Sequence, residues 1–195
     1  IGVDAEPAFD EAALPLASID DHTPYKAVPL PGRPHSIGWH GNALLVRRGI
    51  EVADADIVPL PTLEPRGAIR ADLIVEGKRL RVVGMHLDLS GLRRRQQVRS
   101  ILHHLYACDG HCPTVLMGDL NEWTQHGGCL REFHADWRVL APGKSFPSRR
   151  PVAQLDRIVV SPDWRVLETT VHHSALAVRG SDHLPVVARL ELPNI

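Results

Sequence analysis

Four short motifs in this chain carry side chains that could bind a metal ion or activate a water molecule. The first is the Gly-Asp-Leu-Asn segment at residues 118–121, directly after an apolar run. Asp119 and Asn121 are two residues apart, so their oxygens can point to the same side of an extended chain. Such oxygen donors suit Mg²⁺ or Mn²⁺. An ordinary Asp/Asn turn after a strand has the same composition, so this motif alone supports either interpretation.

The second and third motifs bring aspartate together with histidine. In the Ser-Asp-His-Leu-Pro segment at residues 181–185, Asp182 and His183 can present a metal ligand beside a base. The alternative is a capping aspartate followed by an exposed histidine. Asp156 lies within an apolar run and needs a partner, because burying an unpaired charge is costly. Its neighbour Arg157 faces the opposite side of a strand, so a histidine from another segment is the better candidate.

His86 belongs to the fourth motif, the Met-His-Leu segment at residues 85–87. A lone histidine at a strand end is more often a surface residue than a catalyst. The interpretation of His86 as a catalytic residue therefore depends on the other three motifs. Arginines 93–95 follow shortly afterwards. We expect them to form the solvated face of a helix, with contact to a phosphate group as the alternative.

The elements that must position these motifs are mostly strands. Patterns of alternating or continuous apolar residues predict strands at 43–46, 69–75, 80–87, 114–117, 155–161, 165–172 and 184–192. Apolar residues spaced three, four and seven apart predict an amphipathic helix at 92–105, and residues 76–78 predict a hairpin turn. Residues 1–40 predict loops with one short helix near 11–19. This pattern indicates an α/β (α+β) sandwich in a single domain over residues 1–195.

Composition narrows the classes of function. The 195 residues are 44% hydrophobic and 5% aromatic with a net charge of −1, which argues against a strongly basic nucleic-acid binder or a base-stacking platform. No apolar stretch approaches the ~20 residues that cross a bilayer. We expect a monomer. Because the chain begins at Ile1 rather than methionine, the sequence predicts an upstream segment; unless that segment carries a signal, the cytoplasm is the default location.

Three cysteines are too few for a disulfide framework and indicate a reducing compartment. Cys108 and Cys112 would need Cys129 or histidines 103–104 to complete the four ligands of a structural zinc site. A zinc-stabilised interaction module is therefore the weakest of the functional hypotheses.

Taken together, the four motifs in this order resemble the endonuclease/exonuclease/phosphatase family, which includes deoxyribonuclease I and the inositol-polyphosphate 5-phosphatases. The resemblance covers residues 41–192. It implies a four-layer sandwich of two packed mixed β-sheets flanked by helices, and attack of water on a phosphoester with Mg²⁺ or Mn²⁺ as cofactor. His86 resembles the second active-site histidine of the deoxyribonuclease I branch. Further matches surround Asn42 and Arg66, which the resemblance implies as substrate-binding residues.

The same resemblance implies a role for the remaining motif residues. Asp119 and Asn121 would orient the nucleophile and the phosphate. His183 would act as general base or phosphate stabiliser, held by Asp156, and Asp182 would serve the metal site.

The N-terminal part departs from the family pattern. The family's first strand, which carries an active-site asparagine, is absent, and no Gln-Glu pair stands where the metal-binding glutamate is expected. Glu6 is the residue that could take this place, with Asp4 the weaker choice, unless the ligand belongs to an upstream segment. Two functions therefore stand side by side: a metal-dependent phosphoesterase and a truncated, family-like binding domain without catalysis. Nucleic acid, a lipid head group and a small phosphoester all remain open as substrates.

Overall fold

The computed structural model describes residues 19, 21–32, 38–62, 64–108, 110–134 and 136–193. The strands are β1 (Tyr25–Ala27), β2 (Gly38–Trp39), β3 (Asn42–Ala43), β4 (Leu45–Arg47), β5 (Glu51–Val58), β6 (Gly67–Val75), β7 (Lys78–His86), β8 (Thr114–Asp119), β9 (Arg138–Leu140), β10 (Asp156–Val160), β11 (Arg165–Val171) and β12 (Val186–Glu191). The helices are α1 (Gly91–Ala107), a 3-10 helix (Gly128–Glu132) and α2 (Ala175–Gly180). None of the helices in the described residues is long and apolar enough to cross a membrane.

A six-stranded mixed sheet in the order β5-β6-β7-β8-β10-β9 forms the centre of the fold. Strands β7 and β8 run parallel, and the other neighbouring pairs of this sheet run antiparallel. Parallel neighbours cannot be joined by a tight turn, so α1 makes the connection from the end of β7 to the start of β8. This connection brings the ends of both strands to the same edge of the sheet.

The two faces of this sheet are covered by different elements. Helix α1 packs its stripe of Val98, Ile101, Leu102 and Leu105 on one face, as its spacing predicts. The pair β1–β4 and the pair β11–β12 cover parts of the opposite face. The predicted α/β (α+β) sandwich is thus confirmed, although its second strand layer consists of separate pairs in the described residues.

Most predicted elements occur where the sequence patterns place them. The predicted hairpin is formed by Glu76 and Gly77, whose φ angles of 51° and 76° close a tight turn between β6 and β7. Strand β5 was missed, because its alanines and aspartates blur the alternation; it is the edge strand of the sheet. The short helix predicted near residues 11–19 falls almost wholly outside the described residues.

Helix α1 has the predicted solvated face at Arg95, which is exposed, whereas Arg94 departs from that prediction. Arg94 is buried and donates to the Glu122 carboxylate at 3.3 Å. Burial opposes the charge on Glu122, but hydrogen bonds from Thr124, from the Cys129 N–H and from Arg94 outweigh it and lower the pKa to about 2. Arg95 and Arg99 both pair with Glu132, at 2.7 and 2.6 Å. Helix α1 therefore anchors the loop that follows β8.

A buried ion cluster lies within the sheet, away from its site-bearing edge. The Asp72 side chain is fully buried and accepts hydrogen bonds from Arg81 at 2.7 and 2.9 Å and from Arg79 at 2.7 Å, with Arg70 3.1 Å away. Burial alone would raise the pKa of Asp72, but the guanidinium groups outweigh it and lower the pKa to about 2. The folded state therefore holds this carboxylate in its charged form.

This cluster predicts a loss of stability in acid. The pKa of Asp72 is below its unfolded value, so the stabilisation is complete above pH 4 and is lost as pH falls toward 2. We expect the difference in unfolding free energy between wild type and Asp72→Asn to shrink by about 2 kcal/mol from pH 5 to pH 2. Urea unfolding at a series of pH values measures it, with Arg79→Gln as a milder variant should Asp72→Asn not fold. A difference that does not change with pH would contradict the prediction.

Candidate active site

Four residues on neighbouring strands form one row at the edge of the main sheet. Gly67 of β6 is paired with His86 of β7, His86 with Asp119 of β8, and Asp119 with Asp156 of β10. Neighbouring strands are about 4.8 Å apart, so paired side chains of one row lie close together. The strand register thus brings together three of the motifs that are far apart in sequence.

His183 joins this row from the loop that precedes β12. Its Nδ1 lies 2.8 Å from Asp156 Oδ2, and Ser145 Oγ donates to the same carboxylate oxygen. The hydrogen bond to Asp156 raises the pKa of His183 and fixes the orientation of the ring. The Phe146 ring packs against the imidazole with centroids 4.8 Å apart. As a result, Nε2 is the ring nitrogen of His183 that faces Asp119.

His86 stands on the other side of Asp119. Arg66 Nη1 lies 3.1 Å from His86 Nδ1 and 2.5 Å from Nε2. A guanidinium group only donates hydrogen bonds, so this contact requires an unprotonated ring nitrogen. Burial, followed by the charge of Arg66, lowers the pKa of His86. Arg66 therefore places a guanidinium group against the His86 imidazole, which disfavours protonation of the ring.

The Asp119 carboxylate occupies the centre of the site. Its Oδ2 lies 3.6 Å from His86 Nε2 and 3.8 Å from His183 Nε2. Its Oδ1 accepts the backbone N–H of Asn121 at 2.8 Å. Burial raises the pKa of Asp119. A positive charge near Oδ2 would therefore stabilise the ionised carboxylate.

Asn121 has a positioning role in this geometry. Its Nδ2 donates to the Leu87 carbonyl at 2.9 Å, so this nitrogen is used within the protein. The residue has φ of 49°, which turns the chain immediately after β8. Asn121 thereby ties the loop that follows Asp119 to the loop that follows His86.

The remaining predicted site residues lie in different places. Asn42 Nδ2 donates to the Gly67 carbonyl at 2.9 Å, which holds the β2–β3 hairpin against the strand row. Asp182 is exposed and does not belong to the cluster around Asp119. Glu6 lies outside the described residues.

The chain matches the profile of the Endonuclease/Exonuclease/phosphatase family over residues 2–183. It belongs to this family. The curated relative YbhP of Escherichia coli K12, an uncharacterised protein, is 28% identical over 169 residues, covering 80% of this chain and 64% of YbhP. The chain therefore spans somewhat less than two thirds of the length of the curated relatives it matches.

Solved structures of this family share the fold. The mannosyl-6-phosphatase Bt3783 of Bacteroides thetaiotaomicron superposes with a TM-score of 0.71 at 14% identity, over 90% of this chain and 80% of that one. D. rerio TDP2, solved with a single-stranded DNA product, gives a TM-score of 0.66 at 13% identity, over 90% and 88% of the two chains. At these identities the likeness establishes the fold.

Within the Endonuclease/Exonuclease/phosphatase fold of this chain, one group of described residues could hold a metal ion. It consists of Asp119, Asp156 and His183, whose ligand atoms lie within 4.8 Å of one another. Asp119 Oδ2 receives no hydrogen bond from the described residues, whereas Asp156 Oδ2 already accepts from Ser145 and His183. A carboxylate oxygen that accepts no hydrogen bond from the protein suits a hard divalent cation. The donor set thus fits a cation at Asp119.

The zinc site considered as the weakest alternative has no counterpart in the described part of the chain. Cys108, Cys112 and Cys129 are free thiols, and none of them belongs to a group that could hold a metal. Burial raises the pKa of Cys129 to about 12 and also raises the pKa of Cys112. These two thiols are therefore core residues.

Sequence reasoning missed Ser145 and Phe146, which hold Asp156 and His183 in place. It also missed Trp123, which is 65% exposed and packs edge-on against Phe146, with centroids 6.4 Å apart. Trp123 lies two residues after Asn121, so its proximity to the motif was a usable signal. Ser145 and Phe146 carry no such signal, because their contacts depend on tertiary structure.

The pairing of Asp156 with His183 gives a prediction of its own. We expect Asp156→Asn to lower kcat by roughly 10²- to 10⁴-fold with little change in KM, because an amide cannot hold the same imidazole tautomer and proton. Steady-state kinetics on the phosphoester that the protein hydrolyses will measure this change.

Asp163→Asn is the matched control for that variant, because Asp163 forms a similar pair with His111 at 2.6 Å outside the site. It should keep turnover within about twofold of wild type. Equal losses in both variants would show that the effect is a general one on the fold.

Proposed function

We propose that this chain hydrolyses a phosphoester bond by direct attack of water, assisted by Mg²⁺ or Mn²⁺. The observation that carries the proposal is the position of Asp119 Oδ2 between His86 Nε2 and His183 Nε2, at 3.6 and 3.8 Å. A phosphoryl transition state spreads negative charge over its oxygens, so it needs positioning and positive charge more than covalent chemistry. This cluster combines a carboxylate, two imidazoles and a guanidinium group.

In this proposal Asp119 and His183 act on the water molecule. A water between Asp119 Oδ2 and His183 Nε2 can hydrogen-bond to both atoms at once, because the atoms are 3.8 Å apart. Asp119 would orient the water and His183 would take its proton. Asp156 raises the pKa of His183 and so makes the imidazole a stronger base.

Arg66 and His86 would form the phosphate-binding side of the site. The Arg66 side chain is mostly buried and already lies against the imidazole at 3.1 Å. Guanidinium groups bind phosphate oxygens through paired N–H donors. Arg66 would therefore hold the phosphoryl group opposite the water.

The proposed cation would be bound beside the same carboxylate. Among the described residues Asp119 is the ligand candidate, and the family resemblance adds Glu6 as a further oxygen donor. Bound Mg²⁺ or Mn²⁺ would stabilise the negative charge that develops on the phosphoryl oxygens.

The similar proteins support a phosphoester as the substrate, but they do not indicate which class of phosphoester this chain hydrolyses. One neighbour is a mannosyl-6-phosphatase, and another was solved with a single-stranded DNA product. The same fold therefore accommodates a sugar phosphate in one protein and nucleic acid in another. Nucleic acid, a lipid head group and a small phosphoester remain the candidate substrate classes for this chain.

A panel of esters tests this proposal. We would assay p-nitrophenyl phosphate, bis(p-nitrophenyl) phosphate and plasmid DNA, each with Mg²⁺, Mn²⁺ or a chelator. The expected result is turnover of at least one ester class that requires the metal and disappears with the chelator. Absence of turnover on every ester with either metal, from protein shown to be folded, would contradict the proposal and favour a family-like binding domain without catalysis.

A further inference from the structure

A cavity beside the proposed active site is lined by three arginines that the mechanism does not use. It has a volume of about 490 Å³ and lies between the loop after Phe146 and the end of helix α2. Its arginines are Arg149 and Arg150 on the loop, and Arg179 in the last turn of the helix. All three are exposed. The cavity therefore presents guanidinium groups from two separate segments.

Hydrogen bonds connect this cavity to the active site. Leu184 N donates to the Ser145 carbonyl at 2.8 Å, and Ser148 N donates to the Asp182 carbonyl at 2.7 Å. Ser148 Oγ also donates to the Ser181 carbonyl at 2.7 Å. The two segments that hold His183 thus continue side by side into the cavity wall. Two residues of extended chain span about 7 Å, so the cavity begins close to His183.

The arginines of this cavity lack carboxylate partners. Several other arginines of the chain pair with carboxylates, as Arg81 does with Asp72 and Arg99 with Glu132. Arg149, Arg150 and Arg179 form no ion pair with any described residue. The cavity contains one acid, Asp182, against these three cations. A local positive charge in a chain of net charge −1 indicates an anionic ligand.

We propose that this cavity binds a second phosphate group of the substrate, and this inference rests on the proposed function. Guanidinium groups recognise phosphate through paired donors, and two arginine-bearing segments can contact different oxygens of one group. The substrate would then carry two phosphates a short distance apart, one at Asp119 and one in the cavity. A nucleic-acid strand and a small bisphosphate share this chemistry.

Paired substrates that differ by one phosphate test this inference. One pair is a dinucleotide with and without a 5′-phosphate, and the other is a hexose 1,6-bisphosphate with the corresponding 6-phosphate. Wild type should have a higher kcat/KM for the two-phosphate member of at least one pair. We expect the double variant Arg149→Ala/Arg179→Ala to reduce that preference about tenfold, mainly through KM.

Arg47→Ala is the matched control, because Arg47 is exposed on β4 and forms no ion pair with a described residue. It should keep the wild-type preference. A preference confined to the dinucleotides would identify a nucleic-acid strand, and one confined to the sugars would identify a small bisphosphate. Lack of any preference in wild type, or its retention in the double variant, would overturn the inference.

A binding measurement separates this inference from the proposed function. If wild type hydrolyses none of these esters, the proposed function fails, while calorimetric titration with pyrophosphate still tests the cavity. Pyrophosphate affinity about tenfold weaker in Arg149→Ala/Arg179→Ala than in Arg47→Ala would support the cavity as an anion site. Equal affinities would overturn it.

Discussion

Replacement of Asp119 by Asn is expected to lower kcat on the phosphoester substrate by about 10³-fold or more. Asn keeps the size of the side chain but removes the negative charge that faces His86 and His183. The variant should remain folded, because the burial that raises the pKa of Asp119 shows that the charge is not favoured by its surroundings. Steady-state kinetics will measure the loss of turnover, and urea unfolding will show whether the variant has also lost stability.

Asp136→Asn serves as the control for this substitution, because Asp136 is exposed and lies outside the site. It should retain turnover within about twofold of wild type. Wild-type kcat in Asp119→Asn would remove Asp119 from the mechanism, and the proposed arrangement of the water molecule with it.

The second large effect is expected from Gly118→Ala, the residue before Asp119. Gly118 has φ of 144°, and a Cβ there would lie 1.8 Å from the Met85 carbonyl oxygen on the neighbouring strand. Strands β7 and β8 would have to separate at this point, which also moves Asp119 away from His86. We expect a loss of roughly 3 kcal/mol or more of unfolding free energy, since backbone strain and a steric clash add. Urea unfolding measures this loss.

The control variant Gly110→Ala separates the cost of backbone strain from the cost of the steric clash. Gly110 also has a positive φ, 77°, but no described atom lies within 4 Å of a Cβ placed there. It should lose only about 1 kcal/mol from backbone strain. Similar losses in the two variants would show that the close approach of β7 and β8 is not what requires glycine at position 118.

The residues of the site could largely be identified from sequence, because their motifs combine acids and histidines at strand ends. Asp156 illustrates the reasoning: an acid in an apolar strand needs a partner, and the partner is His183, 27 positions away. The contact of Arg66 with His86 depends on the pairing of β6 with β7 and could not be read from spacing. The metal-binding role of Glu6 stays a prediction.

Local sequence patterns predict single elements of the fold, but not the contacts between them. Helix α1 was predictable because one continuous apolar stripe defines it. The partners of its arginines were not, since Glu122 lies in a loop and Glu132 at the end of the 3-10 helix, and tertiary contacts bring both to α1. Strand β5 lacks a clear alternation, because its alanines and aspartates give only a weak contrast between its two faces. Pairing between separate strands requires information beyond the local pattern.

The most direct test of the account is the turnover of one phosphoester with Mn²⁺ by wild type, His183→Ala and His173→Ala in parallel. His173 is an exposed histidine in the loop between β11 and α2, so it controls for the loss of an imidazole outside the site. We predict that His183→Ala loses at least about 10²-fold in kcat, while His173→Ala stays within about twofold of wild type. Turnover by His183→Ala equal to that of wild type would contradict the central claim that the cluster around Asp119 hydrolyses the ester.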